Sequence, residues 1–116
     1  MGIFRCTPLR AQSAQAAHHR MKLFNRNYTA SFTPRLRVAG VNGLADFNNC
    51  SILIDSSLTD EQAESTVLHE IIELINEALE LRLPHRTITC LETALYDALT
   101  SNNVSLSALL PLRDSH

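Results

Sequence analysis

The chain has 116 residues, 45% of them hydrophobic, which suits one globular domain with one core and argues against a disordered chain. Its net charge of −2 is unevenly spread, because every acidic residue lies at position 46 or later. No apolar stretch approaches the roughly 18–20 residues that span a bilayer, so we expect a soluble chain with no membrane partner.

The N-terminal residues 1–20 follow neither a helical nor a strand period and lack the apolar core of a secretory signal. We therefore expect a loose extension at 1–20, a domain at 21–103 and a C-terminal tail at 104–116. Three separated cysteines without a CxxC pair suit a reducing compartment, which predicts a cytoplasmic protein.

Three short strands are predicted after the extension. Residues 28–32 and 50–55 are rich in β-branched and aromatic side chains, and residues 35–39 alternate between polar and apolar. Asn42-Gly43 between them is a turn signal, because both residue types tolerate positive φ. This order predicts a small antiparallel sheet of about three strands.

Two long helices follow, so the fold class is α+β. Thr59 and Gln62 form a capping-box pattern for a helix over residues 60–82, which Leu83-Pro84 ends. A second helix begins between residues 84 and 87 and continues to about 101. In the tail, residues 106–112 form a short apolar piece that can pack on the core.

The first helix carries the most chemically informative pattern. His69 and Glu73 lie four residues apart on its polar face, so both side chains can reach one ion. This is the geometry of the zinc motif HExxH, in which the intervening glutamate, here Glu70, polarises water. The simpler interpretation is the solvated polar face of an amphipathic helix.

The second helix offers two more candidates. Glu92 falls at the edge of its apolar stripe, where a carboxylate needs a cation, a metal or hydrogen-bond donors. Alternatively, Thr89 and Glu92 form a capping box for a helix that starts late. His85, just before this helix, could lean into a site between the helices, or be an ordinary surface residue.

Four motifs in order carry a resemblance to a known class: ILID at 52–55, LHEIIE at 68–73, LPH at 83–85 and LETALY at 91–96. With them, the stretch 37–103 resembles small phage and prophage proteins of the zincin-like, ImmA/IrrE-type metallopeptidase class. The resemblance implies a minimal zincin-like fold.

The resemblance also implies site roles. His69 would be the first zinc ligand, Glu70 the activator of water, and Glu92 the later acidic ligand. The departure is Glu73, which stands where the class has its second histidine; a carboxylate can still bind zinc. His85 could supply the missing imidazole.

Three functions are consistent with these residues. The first is a zinc-dependent metallopeptidase-like hydrolase of phage or prophage type, acting on a protein or peptide. The second is a catalytically inactive zincin-like interaction module that binds a phage or host protein. The third, which we do not favour, is a nucleic-acid-associated protein that uses the basic residues Lys22, Arg26, Arg35 and Arg37.

Overall fold

A computed structural model of the chain describes residues 18–113. The predicted α+β class is confirmed: a sheet of four strands is followed by two helices. The elements in chain order are β1 (His18–Leu23), β2 (Arg26–Thr33), β3 (Gly43–Asp46), β4 (Ser51–Asp55), α1 (Asp60–Ala78) and α2 (His85–Ser101), with 3₁₀ turns at Arg37–Ala39 and Ser107–Leu109.

The sheet is mixed rather than antiparallel. Its strand order is β1-β2-β4-β3, with β2 and β4 parallel and the two outer pairs antiparallel. The predicted strands at 28–32 and 50–55 correspond to β2 and β4. The chain between them crosses over through a turn and β3 instead of reversing in one hairpin, which makes β2 and β4 run in the same direction.

The fourth strand, β1, was not predicted. It forms a two-residue hairpin with β2, in which Phe24 and Asn25 have φ of 55° and 59°. Two consecutive positive φ values are the geometry of the tight hairpin turn that follows the twist of its strands. Residues 18–20 of the expected extension therefore belong to β1, and its residues 1–17 lie outside the described residues.

The strand expected at 35–39 is wrong. Arg35 has φ of 72°, and Arg37–Ala39 forms a 3₁₀ turn. The backbone N–H of Arg37 donates to Asp55 Oδ2 at 2.8 Å, so a side chain at the end of β4 holds this segment in place of a neighbouring strand. Alternation of polar and apolar residues over five positions was too short to exclude a turn.

Helix α1 begins as predicted, with the Thr59–Gln62 capping box present in both directions. It ends at Ala78, earlier than the predicted residue 82, and Glu80 and Arg82 have φ of 52° and 60°. Asn76 stabilises this exit, because its Oδ1 accepts from the backbone N–H of Leu83 at 2.9 Å.

Helix α1 lies between the sheet and α2 and contributes to two apolar clusters. The cluster against the sheet contains Met21, Tyr28, Ala30, Cys50, Ile52, Ile54, Leu58, Ala63, Val67 and Leu74. The cluster against α2 contains Leu68, Ile72, Ile88 and Leu106. Of the described residues of α2, Ile88 alone is buried, whereas Leu91 and Leu95 of its apolar stripe are 39% and 42% exposed.

The tail returns to the start of α1. Arg113 donates to the backbone carbonyls of Ser56 and Leu58 at 2.9 and 2.8 Å, and its guanidinium lies 4.1 Å from the centre of the Phe32 ring. Its Nε also contacts Asp60 at 3.1 Å. These contacts hold the residues just before α1 against the sheet.

Cys50 is buried and disulfide-bonded, whereas Cys90 is exposed and free. None of the helices within residues 18–113 combines the length and the apolar composition that a membrane span requires.

Candidate metal centre

A cavity of about 530 Å³ opens between the middle of α1, the start of α2 and the outer strand β3. Its volume lies in the range of small-molecule and substrate sites. The side chains of His69, Glu70, Glu73, His85 and Glu92 all line it. The folding of α2 beside α1 therefore brings every candidate residue from the two helices to one place.

Three of these residues form a cluster that can hold a metal ion. One ligand atom from each of His69, Glu73 and His85 lies within 4.8 Å of the other two. His69 Nε2 is 3.2 Å from Glu73 Oε2, and His85 Nδ1 is 3.8 Å from the same oxygen. The two imidazole rings meet edge to face, with their centres 5.3 Å apart.

Local sequence explains this geometry. The spacing of His69 and Glu73 places them one turn apart on α1. The loop between the two helices ends at Leu83-Pro84, and α2 begins at His85 with Pro84 as its N-cap. His85 therefore lies at the start of α2, where it reaches His69 and Glu73. His85 remains 75% exposed, so it closes the cluster from the solvent side.

Glu92 takes a different position from the cluster. Its Oε1 lies 2.8 Å from His69 Nδ1, the ring nitrogen on the edge away from Glu73, and its Oε2 accepts a hydrogen bond from Ser65 Oγ. The capping-box alternative for Glu92 is wrong, because α2 starts at His85 and Thr89 already lies inside it. The carboxylate at the edge of the apolar stripe is instead satisfied by donors on α1.

Glu70 is a buried carboxylate beside the cluster. Only 7% of it is exposed, and no hydrogen bond to it is found among residues 18–113. Burial raises the pKa of Glu70 to about 7; His69 opposes the rise, whereas the carboxylates of Glu73 and Glu92 add to it. A largely buried carboxylate that lines a cavity is a candidate for proton transfer.

Gly43 lets β3 approach α1 closely at this point. A Cβ on Gly43 would lie 2.7 Å from Thr66 Cγ2 and 3.1 Å from Glu70 Oε2. Thr66 is buried and β-branched, so its methyl group cannot easily move aside. The absence of a side chain at Gly43 therefore allows the strand to cover Glu70.

Replacing Gly43 by Ala is expected to destabilise the protein by about 1–3 kcal/mol, the usual cost of forcing a methyl group into a packed interior. Urea unfolding of the variant measures this loss. Thr66→Ser removes the clashing methyl group, so the double variant should lose less than the sum of the two single changes. Additive losses would contradict the close approach as the cause.

The sequence identified the titratable residues around the cavity but not their supports. Ser65, Thr66 and Gly43 were missed, because a serine or threonine on a helix and a glycine after asparagine have many ordinary roles. For Ser65 one sequence signal was present. It lies one turn before His69 on α1, just as His69 lies one turn before Glu73.

The basic residues considered for nucleic-acid binding are not equivalent in the structure. Lys22, Arg35 and Arg37 are exposed, but Arg26 is half-buried and donates to the carbonyl of Phe47 at 2.6 Å. Its guanidinium also lies over the Phe47 ring at 4.0 Å. Arg26 therefore has a packing role at the end of the sheet.

In comparisons with protein-family models, curated proteins and solved structures, the chain matches none of them.

Proposed function

We propose that the chain is a small metal-dependent hydrolase of metallopeptidase type, of the phage and prophage class that its motifs resemble, and that it acts on a protein or peptide. The observation that carries the proposal is the cluster of His69, Glu73 and His85 in one cavity with the buried carboxylate of Glu70. Ligands and a candidate base in one cavity are the minimum that metal-assisted hydrolysis requires.

The residues fit a divalent ion such as zinc. Tetrahedral zinc with bonds of about 2.0–2.2 Å would place its ligand atoms about 3.3–3.6 Å apart. The two contacts to Glu73 Oε2, at 3.2 and 3.8 Å, bracket that separation. Two imidazoles and one carboxylate are also a donor set of catalytic zinc sites that keep a fourth position open.

Glu73 stands where the class has its second histidine. This change weakens the Lewis acidity of the ion less with His69, Glu73 and His85 as ligands than with Glu73 and Glu92 both bound. Glu73 and Glu92 together would place two negative charges on the ion and weaken its action as a Lewis acid. With His85 as the third ligand, Glu73 is the single anionic ligand. His85 then supplies the imidazole that the altered motif lacks.

When bound, a divalent ion supplies a Lewis acid that polarises an amide carbonyl and makes a water molecule easier to deprotonate. Glu70 is the residue placed to accept that proton, because its carboxylate lines the same cavity. It can then return the proton to the leaving amine nitrogen. His69, Glu73 and His85 would hold the ion, and Gly43 of β3 covers one side of Glu70.

The metal content of the purified protein tests the proposal. We expect about one equivalent of zinc or another divalent ion, removable by chelator, and a large loss of binding in His69→Ala and His85→Ala. Far-UV circular dichroism of both variants should remain that of the parent. His19→Ala is the matched control, since His19 lies on β1 and should leave the metal content unchanged.

The outcomes separate the proposed function from its alternatives. Full metal retention in His69→Ala would contradict the assignment of His69 as a ligand. Stoichiometric zinc without cleavage of any peptide in a mixed-sequence library would favour the inactive zincin-like interaction module. A parent protein that binds no divalent ion would remove the hydrolase proposal altogether.

A further inference from the structure

Glu92 uses both of its carboxylate oxygens to join the two helices. Oε2 accepts from Ser65 Oγ, and Oε1 lies 2.8 Å from His69 Nδ1. Ser65 and His69 are one turn apart on α1, and Glu92 projects from α2 between them. A single carboxylate from one helix therefore holds two side chains of the other.

This arrangement uses the edge of the His69 ring that faces away from the metal cluster. Nε2, the other ring nitrogen, lies 3.2 Å from Glu73 Oε2 and belongs to the cluster. Both ring nitrogens thus face a carboxylate, but the contact of Nδ1 with Glu92 is the shorter, at 2.8 Å against 3.2 Å. The closer carboxylate keeps the proton of a neutral imidazole on Nδ1 and leaves Nε2 with its lone pair. Nε2 is then the nitrogen free to bind an ion.

We propose that Glu92, itself held by Ser65, is a positioning residue that fixes the tautomer and ring orientation of His69, and is not a metal ligand. The inference rests on the proposed metal site and changes the role that the resemblance implied for Glu92. To bind the ion directly, Glu92 would have to leave both Ser65 and His69 Nδ1. The two hydrogen bonds that satisfy its partly buried charge would then be lost.

The tautomer of His69 in the metal-free protein is the first test. Long-range ¹H–¹⁵N NMR distinguishes the protonated from the unprotonated ring nitrogen of a neutral imidazole. We expect Nδ1–H in the parent. In Glu92→Met, which keeps the length of the side chain but has no oxygen, the Nε2–H form should become populated. Glu92→Gln should be intermediate, because its amide oxygen can still accept.

Metal binding is the second test. Removing an outer partner of a ligating histidine typically costs about 10–100-fold in metal affinity, which we expect for Glu92→Met. Ser65→Ala should give a smaller loss in the same direction. At saturating Co²⁺, the visible absorption spectrum of Glu92→Met should keep the band positions and intensity of the parent, because the number of ligands does not change.

A second link between the same helices provides the control. Tyr96 on α2 donates to Glu64 Oε1 on α1 at 3.1 Å, and neither residue lines the cavity. Glu64→Met, which removes the oxygen that accepts from Tyr96, should leave the His69 tautomer, the metal affinity and the Co²⁺ spectrum unchanged. Any general effect of weakening the contact between α1 and α2 would be visible in this variant.

Two results would overturn the inference. A parent-like His69 tautomer in Glu92→Met would show that Glu92 does not orient the ring, and a Co²⁺ spectrum with an altered ligand number would make Glu92 a ligand. If instead the proposed function is wrong, the parent protein binds no ion. In that case the NMR comparison still decides whether Glu92 fixes His69.

Discussion

Glu70→Gln is expected to abolish hydrolysis while leaving metal binding and folding intact. The amide has nearly the shape of the carboxylate but cannot take a proton from water, and loss of a general base typically costs about 10²–10⁴-fold in rate. Cleavage of a fluorescence-quenched peptide library by the zinc-loaded protein measures the effect.

The same change should not destabilise the metal-free protein. Glu70 is buried, and no hydrogen bond compensates its charge among the described residues, so the carboxylate is a cost to folding. The melting temperature of Glu70→Gln should therefore equal or exceed that of the parent. Lost activity with an equal or higher melting temperature indicates a residue kept for chemistry rather than for stability.

Glu64→Gln is the matched control for Glu70→Gln, because Glu64 is a carboxylate of the same helix that does not line the cavity. It should retain full cleavage activity. If Glu70→Gln cleaves the library as fast as the parent, Glu70 is not the base. The hydrolase proposal would then have no other buried carboxylate beside the cluster, within the described part of the chain, to take its place.

Local sequence signals predicted the helices and two of the strands well. The Thr59–Gln62 capping box and the Leu83-Pro84 break depend on neighbours in sequence, and they mark the start of α1 and the end of the loop before α2. By contrast, β1 pairs through a turn whose first residue, Phe24, gives no turn signal. The end of α1 was misplaced because Glu80 and Arg82, ordinary helix formers, adopt positive φ.

The candidate site shows the same division between local and tertiary information. Helical spacing alone predicted that His69 and Glu73 share a face. It could not decide between Glu92 and His85, because the answer depends on how α2 is rotated and shifted against α1. Packing of Ile88 against Leu68 and Ile72 brings His85 to Glu73 and Glu92 to the opposite edge of His69.

A second large effect is expected at Asp55, the residue that ends β4. Asp55 is 1% exposed and accepts three hydrogen bonds, from Ser57 N at 2.8 Å, Ser57 Oγ at 2.6 Å and Arg37 N at 2.8 Å. Its own backbone N–H donates to the carbonyl of Asn42 at 2.8 Å. Asp55 thus joins the sheet, the start of α1 and the segment that borders the cavity.

Asp55→Asn should lower the melting temperature by about 10 °C or more. The amide keeps one acceptor oxygen but turns its NH₂ group toward a backbone or hydroxyl donor, which leaves buried donors unpaired. Asp46→Asn is the control, because Asp46 makes similar contacts with Asn49 at an exposed turn. We expect only a small change there.

The pH dependence of stability gives Asp55 a signature of its own. Hydrogen bonds from Ser57, then from the backbone of Arg37, lower the pKa of Asp55 to about 2, below its value of about 3.9 in an unfolded chain. The folded state thus binds this proton less readily, so the contribution of Asp55 to stability is complete above about pH 4 and is lost as the pH falls toward 2. Asp55→Asn lacks this contribution at every pH, so the difference in melting temperature between parent and variant should shrink from pH 5 to pH 2. A difference that stays constant over that range would show that the carboxylate charge is not what holds the Arg37 segment against β4.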